Sequence, residues 1–164
     1  MIYIILVISC LLDYLFLSFI KINSILFPLF SLMALIIVYP FFKKRQFNRF
    51  LVACSALGVV YDIVFTDMRL LNVGTFLLVG LIIKLIFKTI PNNLLSGLLV
   101  GLITIVFYRI TTYMVLALAG YLDFSFIDLF CGIYSSLIVN IGYIIIFYLL
   151  SLFFSRKYKI ERFS

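Results

Sequence analysis

The sequence predicts an all-α integral membrane protein: a compact bundle of six transmembrane helices with both termini on the cytoplasmic side. Three observations carry that prediction. Of the 164 residues, 66% are hydrophobic and 12% charged, with a mean hydropathy of +1.33, whereas soluble domains average about 45–50% apolar. The apolar residues fall into six runs separated by short polar breaks, and lysine and arginine gather at alternate breaks. Closed barrels would need strands that alternate apolar and polar, and runs such as "YIIIFYLLSLFF" do not alternate.

A helix of about 20 apolar residues crosses a bilayer. The first run, Ile2 to Ile20, lacks the basic start and small-residue cleavage site of a signal peptide and carries Asp13, so it reads as a span. The second, Ile25 to Phe42, ends at a basic turn. The third, Phe50 to Phe65, is short and holds Asp62 near its end. The fourth, Leu71 to Phe87, closes with Lys84 and Lys88, which are four residues apart on one face and placed to snorkel to headgroups. The fifth, Leu94 to Ala119, contains Gly97-x-x-x-Gly101 and Arg109; the sixth, Leu129 to Phe154, contains Asn140 and leads into a basic tail. No linker or low-complexity tract divides the chain, so residues 1–164 read as one domain.

Orientation follows from the basic residues. Lys43, Lys44, Arg45, Arg49, Lys84, Lys88, Arg156, Lys157, Lys159 and Arg162 fall on one side, and Lys21 and Arg69 on the other with Asp67, Asp123 and Asp128. Cytoplasmic loops are enriched in Lys and Arg, so both termini are expected inside. This asymmetry, with attraction to anionic lipid, accounts for the net charge of +7, and no nucleic-acid partner is needed to explain it.

Several chemistries are excluded or unsupported. There is no histidine, so Ser-His or Cys-His catalysis and imidazole ligation are absent. Cys10, Cys54 and Cys131 are far apart in sequence with no C-x-x-C pair, and are expected to be small packing residues rather than a disulfide framework or zinc site. We expect no catalytic set, no metal and no cofactor.

The intramembrane charges are therefore the candidate site. An aspartate deep in a helix costs about 2.5–3.5 kcal/mol on insertion scales and normally finds a partner. At 1.5 Å per residue, Asp62 lies about 18 Å along the third span, Asp13 at a comparable depth in the first, and Arg109 about 22 Å along the fifth. The expectation is a cluster of Asp13, Asp62 and Arg109 in the outer half of the membrane. It reads either as a buried ion pair or triad that fixes helix neighbours, or as a ligand or proton site. No further acid or histidine extends a relay, which favours the first. Ser9 with Asp13, and Ser55 and Gly58 with Asp62, share helix faces. Gly97 and Gly101, with Thr104 and Tyr108 on the same face, suit close helix packing, and Asn140 an interhelical hydrogen bond.

The order "FPLFSLMALIIVYPFF", a basic turn, then "SALGVVYDIVFTDMRLLNVGTFLLVGLIIKLI" resembles the bacterial rod-shape-determining membrane protein MreD family. In that family a Gly-x-x-x-Asp ends one helix and a Leu-Gly opens the next; the matching positions here are Gly58, Asp62 and Gly74, with Asn140 at the polar position of the last helix. The chain departs from that pattern in a longer loop and in Val73, rather than Leu, before Gly74. The resemblance implies a non-enzymatic subunit of the cell-elongation machinery in the bacterial cell membrane. Such a subunit binds an MreC-like scaffold protein and works with wall-synthesis enzymes of peptidoglycan and the actin-like filament.

The family is also similar in fold to the substrate-binding subunits of energy-coupling-factor vitamin transporters, which would use Asp13, Asp62, Arg109 and Tyr108 to hold a ligand. The first span has no alanine face of the kind those subunits use for docking. A remoter alternative is an intramembrane aspartyl peptidase built on Asp13 and Asp62. Its Asn-rich and Asp-Arg motifs are missing, and Arg109 would keep both acids ionised where a dyad must share a proton.

Overall fold

In the computed structural model, residues 2–19, 28–42, 46–65, 70–90 and 93–157 are described. Six α-helices follow one another: α1 Ile2–Phe19, α2 Phe30–Val38, α3 Phe47–Val64, α4 Leu71–Thr89, α5 Leu94–Leu118 and α6 Phe126–Lys157. There is no strand among the described residues. Lys21, Lys43, Lys44, Arg45, Asp67, Arg69, Lys159 and Arg162, on which much of the charge asymmetry rests, lie outside the described residues.

Among the described residues, four helices are long and apolar enough to cross a membrane: α3, α4, α5 and the Phe126–Leu150 part of α6. The chain is thus a multi-pass helical membrane protein. The apolar parts of α1 and of α2 with its following turn are shorter, Tyr3–Phe16 and Phe30–Phe41.

The second run is where the expected boundaries need correction. Its described helix begins at Phe30, not near Ile25, and spans nine residues. Pro40 then sits in a 3-10 turn, Tyr39–Phe41, that ends the element; a proline has no N–H to give to a continuing α-ladder. All nine residues of α2 are buried, as expected of a helix that is apolar on every side. It packs against α1, α4, α5 and α6, which makes it the axis of the bundle. The third span is longer than expected, beginning at Phe47, and α6 begins at Phe126 rather than Leu129.

Glycine sets two of the close approaches. A β-carbon on Gly101 would collide with the Ile144 side chain of α6, so Gly101 permits a close approach, whereas one on Gly97 would make only an ordinary contact with Tyr148 at 4.0 Å. On α3, a β-carbon on Gly58 would lie 2.5 Å from Val73 Cα and 2.8 Å from Asn72 O. That seats α3 directly on the backbone at the start of α4. Gly74 differs: nothing lies within 4 Å of its notional β-carbon, so no close approach explains it. The cysteines also divide. Cys54 is buried and Cys10 half-buried, but Cys131 is exposed and packs no core, contrary to expectation.

Candidate functional site

Helix starts expose N–H groups that have no partner within the helix. In lipid or in a dry core each such group costs several kcal/mol if left unmet. Two helices of this bundle begin among buried groups, and each is capped by an aspartate from a neighbour. Asp13 of α1 lies at the start of α2: Phe30 N donates to Oδ1 at 2.8 Å, and Ser31 N and Ser31 Oγ donate to Oδ2 at 2.9 and 2.6 Å. The Tyr61 hydroxyl of α3 donates to the same Oδ2. Asn140 of α6 completes the cap by accepting Leu29 N at 2.9 Å, while its amide donates to Ser136 O at 2.6 Å.

Asp62 does the same for α4. Asn72 N and Asn72 Nδ2 donate to Oδ1 at 2.8 and 3.0 Å, and Val73 N donates to Oδ2 at 3.2 Å. The approach is possible because Gly58, one turn earlier, leaves room for the α4 backbone. Leu70, just before α4, takes a left-handed φ of 69° to turn the chain into this joint. Both carboxylates therefore sit at the positive ends of helix dipoles, where negative charge is stabilised.

Further hydrogen bonds join these caps into a circuit. The Tyr108 hydroxyl of α5 donates to Asn72 Oδ1 at 2.7 Å, and Arg109 Nε donates to Ser136 Oγ of α6 at 2.8 Å. The hydroxyls of Ser9 in α1 and Tyr143 in α6 share a hydrogen bond. Taken in spatial order, α1 bonds α3, α3 bonds α4, α4 bonds α5, α5 bonds α6, and α6 returns to α1. The ring encloses α2, whose start is held by Asp13 and Asn140. Asp13, Asn72, Ser136 and Asn140 are fully buried.

The ring revises one part of the expected charge cluster, the pairing of Asp13 with Arg109. Among the described residues the partners of Asp13 are two backbone amides and two hydroxyls, and it forms no ion pair with Arg109. A helix end supplies several fixed donors at hydrogen-bond distance, and these with the two hydroxyls satisfy the Asp13 carboxylate. Ser55, placed on the Asp62 face by spacing, instead donates to Val52 O of its own helix. Ser31, Tyr61, Asn72, Ser136 and Tyr143 were not singled out from sequence. Ser136, Asn140 and Tyr143 do recur at i, i+4, i+7, a pattern that marks one polar face of α6.

No group of three or more potential metal-binding side chains occurs among the described residues. Comparison of the chain with protein-family models, curated proteins and solved structures finds no significant match.

Proposed function

We propose that this chain is a non-enzymatic membrane adaptor of the MreD type, serving cell-shape maintenance in the bacterial cell membrane by binding an MreC-like scaffold protein. The observation that carries the reading is the α3–α4 joint. Gly58 and Asp62, two of the residues behind the resemblance, act together in it: one permits the approach and the other caps the helix that results. Asp13 and Asp62 both have their oxygens occupied by helix-end donors. A vitamin-binding role would need those groups turned toward a ligand. Their use in architecture supports an adaptor, which meets partners through helix faces and short connections.

The test is depletion combined with co-purification. Depleted rod-shaped cells should round and swell while vitamin uptake persists, and the tagged protein in mild detergent should bring down the scaffold. Normal morphology in depleted cells, together with a vitamin that raises the thermal stability of the purified protein, would overturn the proposal.

We further propose six spans with both ends in the cytoplasm, because ten of the basic residues fall on one side and two on the other. In a chain whose three cysteines are replaced by serine, a cysteine at position 125 should react with a membrane-impermeant maleimide in intact cells, and one at position 48 should not. The opposite pattern would reverse the orientation.

A further inference from the structure

Between α1 and α3 the ring is loosely packed, and a groove of about 760 Å³ opens there. Such a volume falls in the range of about 300–1,000 Å³ occupied by small-molecule sites. Its walls are Leu6, Val7, Cys10 and Leu11 of α1 and Val52, Ala53, Ala56, Leu57 and Val60 of α3, and its polar lining is Tyr3, Asn48 and Arg49. These three lie near the starts of their helices, whereas Asp13 and Tyr61, bonded to each other, lie further along both. The two helices thus run side by side from a polar, cationic mouth toward the level at which the Asp13–Tyr61 bond ties them together on the core side.

The length of the groove distinguishes its occupants. From Arg49 to Val60 is eleven residues, about 16 Å at 1.5 Å per residue. One leaflet of hydrocarbon is about 15 Å, half of the roughly 30 Å core. A partner helix crossing the whole membrane would need about 20 residues, well beyond the stretch from Arg49 to Val60 that lines the groove. The chemistry agrees with the length: apolar walls of one leaflet's depth lead to a guanidinium and an amide at the headgroup level, and a tyrosine there suits the interface. Arg49 is exposed and geometrically suited to a phosphate.

We infer that the α1–α3 groove seats one phospholipid of the adjoining leaflet, with its anionic headgroup on Arg49 and an acyl chain along Val52, Ala56 and Val60. The site is independent of the adaptor reading, since any membrane-embedded form of this bundle presents it.

Native mass spectrometry of the full-length protein in mild detergent tests it, with phosphatidylglycerol and phosphatidylcholine of identical acyl chains as probes. The unmodified protein should bind the first phosphatidylglycerol about fivefold more tightly than phosphatidylcholine, the effect of one cation near an anionic headgroup. Arg49→Gln should abolish that preference while still binding both lipids, and Lys88→Gln, on another helix, should keep it. Ala56→Phe, which fills the groove, should weaken both lipids alike. Helix content by circular dichroism and a monodisperse elution profile check folding of each variant, and Arg49→Gln decides the matter if Ala56→Phe fails to fold. The inference is overturned if the unmodified protein shows no headgroup preference, if Arg49→Gln retains it, or if the chain forms dimers that exclude lipid.

Discussion

Replacing Asp13 by leucine is expected to reduce the folded fraction in mild detergent more than any other single change in the polar ring. The leucine removes the acceptor for Phe30 N, Ser31 N, Ser31 Oγ and Tyr61 at once. A buried donor left unmet costs about 1–3 kcal/mol. With both backbone amides and the phenol stranded, a loss of about 3 kcal/mol or more follows, moderated because an unfolded chain in lipid also finds partners. Asp13→Asn keeps the shape and some acceptor capacity, so its loss should be smaller, about 1–2 kcal/mol. The double variant Asp13→Leu with Arg109→Leu should recover nothing, because Asp13 is held by helix-end and hydroxyl donors. Refolding titrations between mild detergent and dodecyl sulfate give the measurement. Recovery in the double variant would show that an ion pair, not the helix cap, is what Asp13 provides.

The second large effect is expected at Gly58. Its notional β-carbon meets backbone atoms of α4, Val73 Cα at 2.5 Å and both Asn72 O and Val73 N at 2.8 Å, which cannot swing aside as a side chain can. Gly58→Leu must push α4 away from α3 and pull Asn72 and Val73 off Asp62. Overpacking alone costs about 1–3 kcal/mol, and the lost cap adds about 1 kcal/mol. Gly74→Ala is the control: it lies inside α4 with open space around it, and exchanging a helical glycine for alanine should be neutral or stabilising by up to about 1 kcal/mol. The same titration should place the two variants on opposite sides of the parent. Equal destabilisation by both would mean that glycine is needed in this region for a reason other than close approach.

The helices themselves were largely legible in the sequence. Described helices correspond to all six apolar runs, and α4 and α5 start at the expected residues, Leu71 and Leu94. Burial of apolar length and the breaks in it are local properties, readable from composition along the chain. Where the reading missed a boundary by most, at the start of α2, the cause was non-local: that start is met by Asp13, 17 positions before Phe30, and by Asn140, 111 positions after Leu29. No window of sequence contains both caps.

The candidate site divides in the same way. Asp13, Asp62, Arg109 and Asn140 could be picked out because polar groups are expensive in an apolar helix, so their mere presence marks them. Their partners could not. An aspartate can be satisfied by a guanidinium, by hydroxyls or by a helix end, and those choices look alike in a sequence. What the sequence determined by itself was a membrane bundle with a few buried polar groups that had to be satisfied. Only the tertiary structure decided that three of those groups, Asp13, Asp62 and Asn140, cap the helices beside them. Hydrogen bonds require donors within about 3 Å, and which donors come that close depends on how α1, α3 and α6 are placed around α2.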